Sequence, residues 1–143
     1  MFGPDSCENL HGHDYRVEAE LGGSFAPTGW ILDFQLIESL LGEIIRSFDH
    51  RLLLPERSPW LTVECSDESA VVKLGGKQWQ FLQRECVFIP SSNVTAELLA
   101  QRIGEQLWAS LQEKMPADFD RLTRLAVELY ESPHYSARWM RTK

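Results

Sequence analysis

The clearest signal along the chain is the strict alternation of Tyr15-Arg16-Val17-Glu18-Ala19-Glu20-Leu21, apolar at odd positions and charged at even ones. Successive strand side chains point to opposite faces, so the pattern predicts a half-buried antiparallel strand with one wet face. Gly22-Gly23 ends it, and Ala26-Pro27-Thr28-Gly29 reads as a loop. After Asp33, a suitable N-cap, the period changes: Ile37, Leu40, Leu41, Ile44, Ile45 and Phe48 recur at helical spacing, and Asp49-His50 closes the helix. Pro55 and Pro59 interrupt the chain, and residues 61–65, 70–74 and 77–81 read as strands, the last two joined by Gly75-Gly76. Residues 55–92 are therefore expected to form a β-hairpin insertion between two helices. The second helix is expected to begin with Asn93 as N-cap and Glu97 in its first turn, to carry the stripe Ala96, Leu99, Ala100, Ile103, Leu107 and Leu111, and to end at Pro116. Residues 125–131 alternate again, and 136–140 form a short last strand.

This order predicts an α+β domain spanning residues 1–143, with an antiparallel sheet, two helices on one face and the hairpin insertion. A sheet of so few strands leaves edges exposed, which invites completion by other subunits.

Composition narrows the partners. A chain of 143 residues with net charge −7 and a pI near 5.1 is a poor match for nucleic acid or an anionic membrane surface, although a local basic pocket can still hold an anionic ligand. Cys7, Cys65 and Cys86 are odd in number and lack framework spacing, so a reducing compartment, the cytoplasm, is expected. No apolar run approaches a membrane span.

Candidate chemistry concentrates in Cys7-Glu8-Asn9-Leu10-His11-Gly12-His13. In an extended strand His11 and His13 share a face, in phase with Tyr15 and Val17 and at the buried end of the strand. Two such imidazoles suit one tetrahedral zinc, and equally suit two histidines with satisfied hydrogen bonds. By spacing alone Cys7 serves as a third ligand, an inert buried thiol, or a nucleophile or base. Asp49 beside His50 forms either an oriented acid/base pair or a histidine set against a helix C-terminus. Glu131 continues the apolar face of Val127 and Leu129, where a buried carboxylate needs an Arg or a ligand with two N–H donors as partner.

Taken together, Cys7-x3-His11-x-His13, Gly29-Trp30-Ile31-Leu32-Asp33-Phe34, Asp49-His50-Arg51-x-Leu53, Asn93-x-Thr95-Ala96-Glu97-x-Leu99-Ala100 and Val127-x-Leu129-x-Glu131-Ser132 resemble, in order, the motifs of the 6-pyruvoyltetrahydropterin and 6-carboxytetrahydropterin synthase family. The resemblance implies a T-fold (tunnelling fold), a zinc-dependent lyase acting on 7,8-dihydroneopterin triphosphate, and a homo-oligomer, trimer or hexamer, with sites at subunit interfaces. It implies His11 and His13 as zinc ligands, Cys7, Asp49 and His50 as catalytic residues, and Glu131 as the pterin anchor. The 6-carboxy product, used in queuosine and 7-deazaguanine synthesis, is the expected one; the 6-pyruvoyl product and a non-catalytic pterin- or metal-binding relative are the alternatives. One departure stands out. The family's first zinc histidine precedes the cysteine, but only six residues precede Cys7 and none is histidine. The resemblance thus predicts a chain that lacks the opening strand, with His134 as the remaining unassigned histidine.

Overall fold

The computed structural model describes residues 9–143, so Cys7 lies outside the described residues. The elements, in chain order, are β1 (Arg16–Gly23), α1 (Phe34–Arg46), β2 (Leu52–Pro55), β3 (Thr62–Cys65), β4 (Ser69–Leu74), β5 (Lys77–Leu82), β6 (Cys86–Ile89), α2 (Ala96–Lys114), α3 (Pro116–Phe119), β7 (Leu122–Tyr130) and β8 (Ser136–Thr142). They divide into two compact units. One comprises residues 13–46 and 96–143; the other contains residues 47–95 and the described residues before 13.

The first unit holds an antiparallel sheet in the order β1-β7-β8, with β1 and β8 as its edges. Its register pairs Val17 with Leu129, Ala19 with Val127, and Val127 in turn with Trp139. These odd positions face the helices, and Leu122, Leu125, Val127 and Leu129 of β7 are buried. Burying each such side chain contributes about 1.5–3 kcal/mol. Apart from the buried Leu122 and Ala126, the even positions form the wet face, where Glu20 pairs with both Arg124 and Arg138, and Arg138 also reaches Glu128 at 3.2 Å. The alternation predicted from residues 15–21 is observed from Arg16 to Leu21, whereas Tyr15 precedes β1 and is exposed.

Helix α2 packs on β7 and β8, and α1 packs on α2. The Asp33 carboxylate accepts the Gln35 N–H at 2.9 Å, as an N-cap should. Helix α1 ends at Arg46, so Asp49 and His50 lie in the turn that follows it. Helix α2 begins at Ala96 rather than directly after Asn93, whose carboxamide oxygen accepts the Val94 N–H at 2.9 Å. Gly104 and Trp108 join the expected apolar stripe among the buried residues of α2.

In the second unit, the expected hairpin is present as β4 and β5, and Gly75 and Gly76 make its turn with φ of 52° and 78°. Two successive positive φ values suit a tight hairpin turn and favour glycine at both positions. The hairpin is part of a larger structure: β3 extends it to a three-stranded antiparallel sheet, and β2 and β6 pair in parallel. Leu54, Leu61, Ala70, Val72, Leu74 and Cys86 form a core of its own. No helix among the described residues is long and apolar enough to cross a membrane.

Candidate functional site

Glu131 follows the last residue of β7 and is held by the turn that leads into β8. Its N–H donates to the Tyr135 carbonyl at 3.0 Å, and the Ser132 N–H donates to the same oxygen at 3.3 Å. The Ser132 hydroxyl oxygen in turn accepts the N–H groups of His134 and Tyr135, each at 3.2 Å. The backbone that carries the carboxylate is thus tied down from both sides.

The carboxylate itself faces two side chains of the segment leading into β1. His13 Nε2 lies 3.6 Å from Glu131 Oε1, and the Tyr15 phenol lies close enough to the carboxylate to feel its charge. The His13 and Tyr15 rings stand 5.6 Å apart, tilted by 38°. Burial first, then the charge of Glu131, push the Tyr15 phenol above its ordinary pKa. Glu131 was expected to be buried and paired with an Arg or a ligand. Its side chain is instead 40% exposed, one residue beyond the last ladder pair of β1 and β7, and lies near the His13 imidazole.

His11 and His13 also differ from expectation. Both are exposed, and both precede β1 rather than sitting at its buried end. The cause is the length of the partner strand: β7 ends at Tyr130, opposite Arg16, so the ladder has nothing further to pair with residues 11–15. His11 Nδ1 lies 2.6 Å from the Asn9 carbonyl oxygen. A carbonyl oxygen only accepts, so Nδ1 is the donor in that contact, as it is in many metal-binding histidines. Among the described residues no three His, Cys, Asp or Glu side chains converge into a metal-holding group. His11 and His13 therefore offer the right donor chemistry for zinc but only two of the three protein ligands a catalytic zinc normally keeps.

Asp49 and His50 are adjacent in the turn after α1. His50 Nδ1 and Asp49 Oδ1 are 2.9 Å apart, and His50 adopts a left-handed backbone with φ of 55°. The imidazole is 93% exposed and so can reach solvent or a ligand. The next residue anchors the turn, with Arg51 Nη1 donating to the Arg84 carbonyl at 2.8 Å. His134 is exposed in the turn beside Glu131.

On the polar face of the same strand ends, an open cavity of about 390 Å³ is lined by Asp14, Arg16, Tyr130, Ser132 and Pro133. There the Arg16 guanidinium lies 4.0 Å over the Tyr130 ring. Tyr15 was expected to contribute only to the phase of the strand. The signal that could have marked it is its position two residues after His13, on the face that β7 extends to Glu131.

An α+β fold with this arrangement of helices and sheet defines the T-fold class of pterin-processing proteins, and the comparisons agree. A sequence-family model described as 6-pyruvoyl tetrahydropterin synthase matches residues 3–142, and the chain belongs to that family. A Pyrococcus abyssi protein with the provisional name 6-carboxy-5,6,7,8-tetrahydropterin synthase is 31% identical over 89% of this chain and 71% of its own length. Proteins of the same provisional name from Methanocaldococcus jannaschii and Pyrococcus horikoshii are 31% and 35% identical, and this chain spans 62% and 59% of their lengths. The crystal structure of Plasmodium vivax 6-pyruvoyl tetrahydropterin synthase superposes with a TM-score of 0.87 at 25% identity, covering 95% of this chain and 83% of that one. The family is one of lyases that act on pterins.

Proposed function

We propose that the chain is a zinc-dependent lyase that converts 7,8-dihydroneopterin triphosphate to 6-carboxy-5,6,7,8-tetrahydropterin, in the cytoplasm, on the route to 7-deazaguanines such as queuosine. The observation that carries this reading is Glu131, a half-exposed carboxylate with a tethered backbone at the end of β7. A pterin presents a ring N–H and an amino group side by side, and a carboxylate accepts such a donor pair in bidentate fashion. The provisional names of the archaeal relatives support the 6-carboxy product.

His11 and His13 are the residues that would hold zinc, which supplies a Lewis acid for the substrate's side-chain hydroxyls when bound. Cys7, as a thiolate, takes the carbon-bound proton. His50, oriented by the Asp49 carboxylate, is the second group that gives or accepts a proton. Triphosphate leaves as that proton is lost; the 6-carboxy product then requires uptake of water and cleavage of a carbon–carbon bond, which releases the other two side-chain carbons as an aldehyde. The open edges of β1 and β8 support assembly into a homo-oligomer, a trimer or hexamer. The likeness to the Plasmodium vivax enzyme favours a second reading, in which the product is 6-pyruvoyltetrahydropterin.

Incubation with 7,8-dihydroneopterin triphosphate, with products identified by mass, tests both. The 6-carboxy product is expected. The 6-pyruvoyl product would select the second reading, and pterin binding with no release of triphosphate would make the protein a non-catalytic relative. Cys7→Ala is expected to lower turnover roughly 10²–10⁴-fold while leaving pterin binding in place.

A further inference from the structure

The turn that carries Asp49 and His50 is tied to the far end of the insertion that follows it in the chain. Helix α1 ends at Arg46, and the turn closes with the Arg51 N–H donating to the Phe48 carbonyl at 3.2 Å, which makes Asp49 and His50 its two central residues. A turn with positive φ at its third residue ordinarily has glycine or asparagine there. His50 takes that place with φ of 55°, and a non-glycine residue stays in such a conformation only where its surroundings over-determine the backbone. Packing of the two side chains does not supply that constraint, because Asp49 is 61% and His50 93% exposed.

The constraint begins at the next residue. Arg51 Nη1 donates to the Arg84 carbonyl at 2.8 Å, a contact between positions 33 residues apart, and Leu52 then opens the parallel ladder opposite Cys86. The acceptor is itself fixed. Arg84 is the middle residue of a single 3₁₀ turn, Gln83–Glu85, where the Gln83 N–H donates to the Glu68 carbonyl at 3.0 Å and the Cys86 N–H donates to the Gln83 carbonyl. The insertion leaves the chain after β2 and returns through this turn, so its return point lies against the residue that follows His50.

We propose that Arg51 is a positioning residue for the Asp49–His50 pair, its guanidinium using the Arg84 carbonyl of the insertion as the fixed reference for the direction of the His50 imidazole. A guanidinium suits that task because its donors lie in one rigid plane at the end of a long stem. The left-handed backbone sets where the His50 side chain leaves the turn, and the Asp49 carboxylate, 2.9 Å from Nδ1, sets the ring. Both depend on how the chain enters β2. A misplacement of about 1 Å caused by a residue remote from the chemistry can cost roughly 10²-fold in rate, so Arg51 can act on kcat without touching substrate. This inference rests on the reading of His50 as a proton-transfer group, and it gives the insertion a share in the reaction.

The experiment compares Arg51→Met, Arg51→Lys, His50→Ala and the double variant of Arg51→Met with His50→Ala, all on the full chain. The readouts are kinetics with 7,8-dihydroneopterin triphosphate, pterin titration, melting temperature and nitrogen NMR of the His50 ring. Arg51→Met keeps the stem and removes the donors, and is expected to lower kcat about 10–100-fold with pterin affinity and melting temperature close to wild type. In the wild type the carboxylate of Asp49 only accepts, so the neutral ring carries its proton on Nδ1. Arg51→Met should turn that single tautomer into a mixture. Arg51→Lys, which keeps a donor, should recover part of the kcat loss and of the Nδ1 tautomer. The double variant should lose no more kcat than His50→Ala alone, because Arg51 acts only through that ring. Losses that multiply, wild-type kcat in Arg51→Met, or a lowered melting temperature with the ring tautomer unchanged would make the contact a brace for the insertion. Each of these overturns the inference while the reading of His50 stands. Full kcat in His50→Ala overturns the proton-transfer reading itself, and this inference with it.

Discussion

Gly104 of α2 lies directly against the indole of Trp139 in β8: a Cβ built on Gly104 would fall 2.0 Å from Cε3 and 2.5 Å from Cζ3 of that ring. Real Cβ atoms do not approach so closely, so the helix meets the sheet here only because residue 104 has no side chain. A mid-helix glycine costs about 1 kcal/mol against alanine, and here that cost is repaid by the close seat of α2 on the sheet.

Gly104→Ala is therefore expected to destabilise the protein despite alanine's higher helix propensity. The indole must tilt or the helix must lift, and such overpacking costs typically 1–3 kcal/mol. Urea unfolding measures it. A variant as stable as wild type would show that Trp139 has an easy alternative rotamer.

The same contact shows where sequence patterning stops. The apolar stripe of α2 is legible because Leu99, Ile103, Leu107 and Leu111 repeat at helical spacing. Gly104 is invisible to that pattern, since its reason lies on a strand 35 residues away. Strand β1 is legible because one face is wet, so charge and apolarity alternate. The parallel pair of β2 and β6 is not, because Leu52–Pro55 and Cys86–Ile89 are short apolar runs with no period. Pro55 reads as a breaker, yet it is the buried last residue of β2, where the following residue supplies the next hydrogen bond, Glu56 N–H to the Ile89 carbonyl at 2.8 Å. The site divides in the same way. The spacing of His11 and His13 and the phase of Glu131 are present in the sequence, but the end of the ladder at Arg16 depends on where the partner strand stops.

The core beneath the hairpin makes a second stability prediction. Leu74, in β4, is 5% exposed and packs in a cluster with Leu54, Leu61, Ala70, Val72 and Cys86. Leu74→Ala should cost about 2–5 kcal/mol, the range for a buried leucine whose cavity refills only in part. Replacement of residues 66–84 by a tight turn removes Ala70, Val72 and Leu74 together, and is expected to unfold the unit that contains residues 47–95. Limited proteolysis decides it. Resistance to cleavage after the excision would show that the hairpin is an accessory after all.

On the wet face of the first sheet, Arg138 ties two carboxylates to its guanidinium. Glu20 is held below the ordinary carboxylate value of 4.5 chiefly by its hydrogen bond from Arg138, with the charge of Arg124 next. Glu128 is lowered chiefly by the Ser136 hydroxyl, at 2.8 Å, and also by Arg138. Both folded-state values lie below the unfolded ones, so the stabilisation is present above pH 4.5 and is lost as pH falls through the depressed values. Arg138→Gln should therefore lose less stability than wild type on acidification below pH 4.5. The groups are exposed, so the difference should shrink in high salt. Thermal melts from pH 7 to pH 3 at two ionic strengths test this. Parallel curves for the two proteins would assign the acid sensitivity to other carboxylates.

The Asp49–His50 pair carries the prediction most specific to catalysis. His50 sits at φ of 55°, a conformation that disfavours most side chains but that histidine visits more readily than bulkier or branched residues. Its Nδ1 contacts the Asp49 carboxylate at 2.9 Å, which assigns the proton to Nδ1 and directs the Nε2 lone pair outward. With the imidazole 93% exposed, packing contributes little to holding it, so Asp49 and the left-handed turn determine its direction. Asp49→Asn keeps the size but substitutes a neutral amide, so the tautomer and the imidazolium both lose their carboxylate partner. It is expected to lower kcat with little change in pterin affinity, since Glu131 rather than His50 meets the pterin edge in the proposed reaction. His50→Ala is expected to lower kcat further, roughly 10²–10⁴-fold. The two losses should not multiply in the double variant, because Asp49 acts through His50. Steady-state kinetics with 7,8-dihydroneopterin triphosphate, alongside pterin titrations of each variant, separate the cases. A rise in KM at constant kcat would make the pair a binding element rather than a proton-transfer one. Full activity in His50→Ala would remove it from the reaction and leave Cys7 as the proton-transfer group.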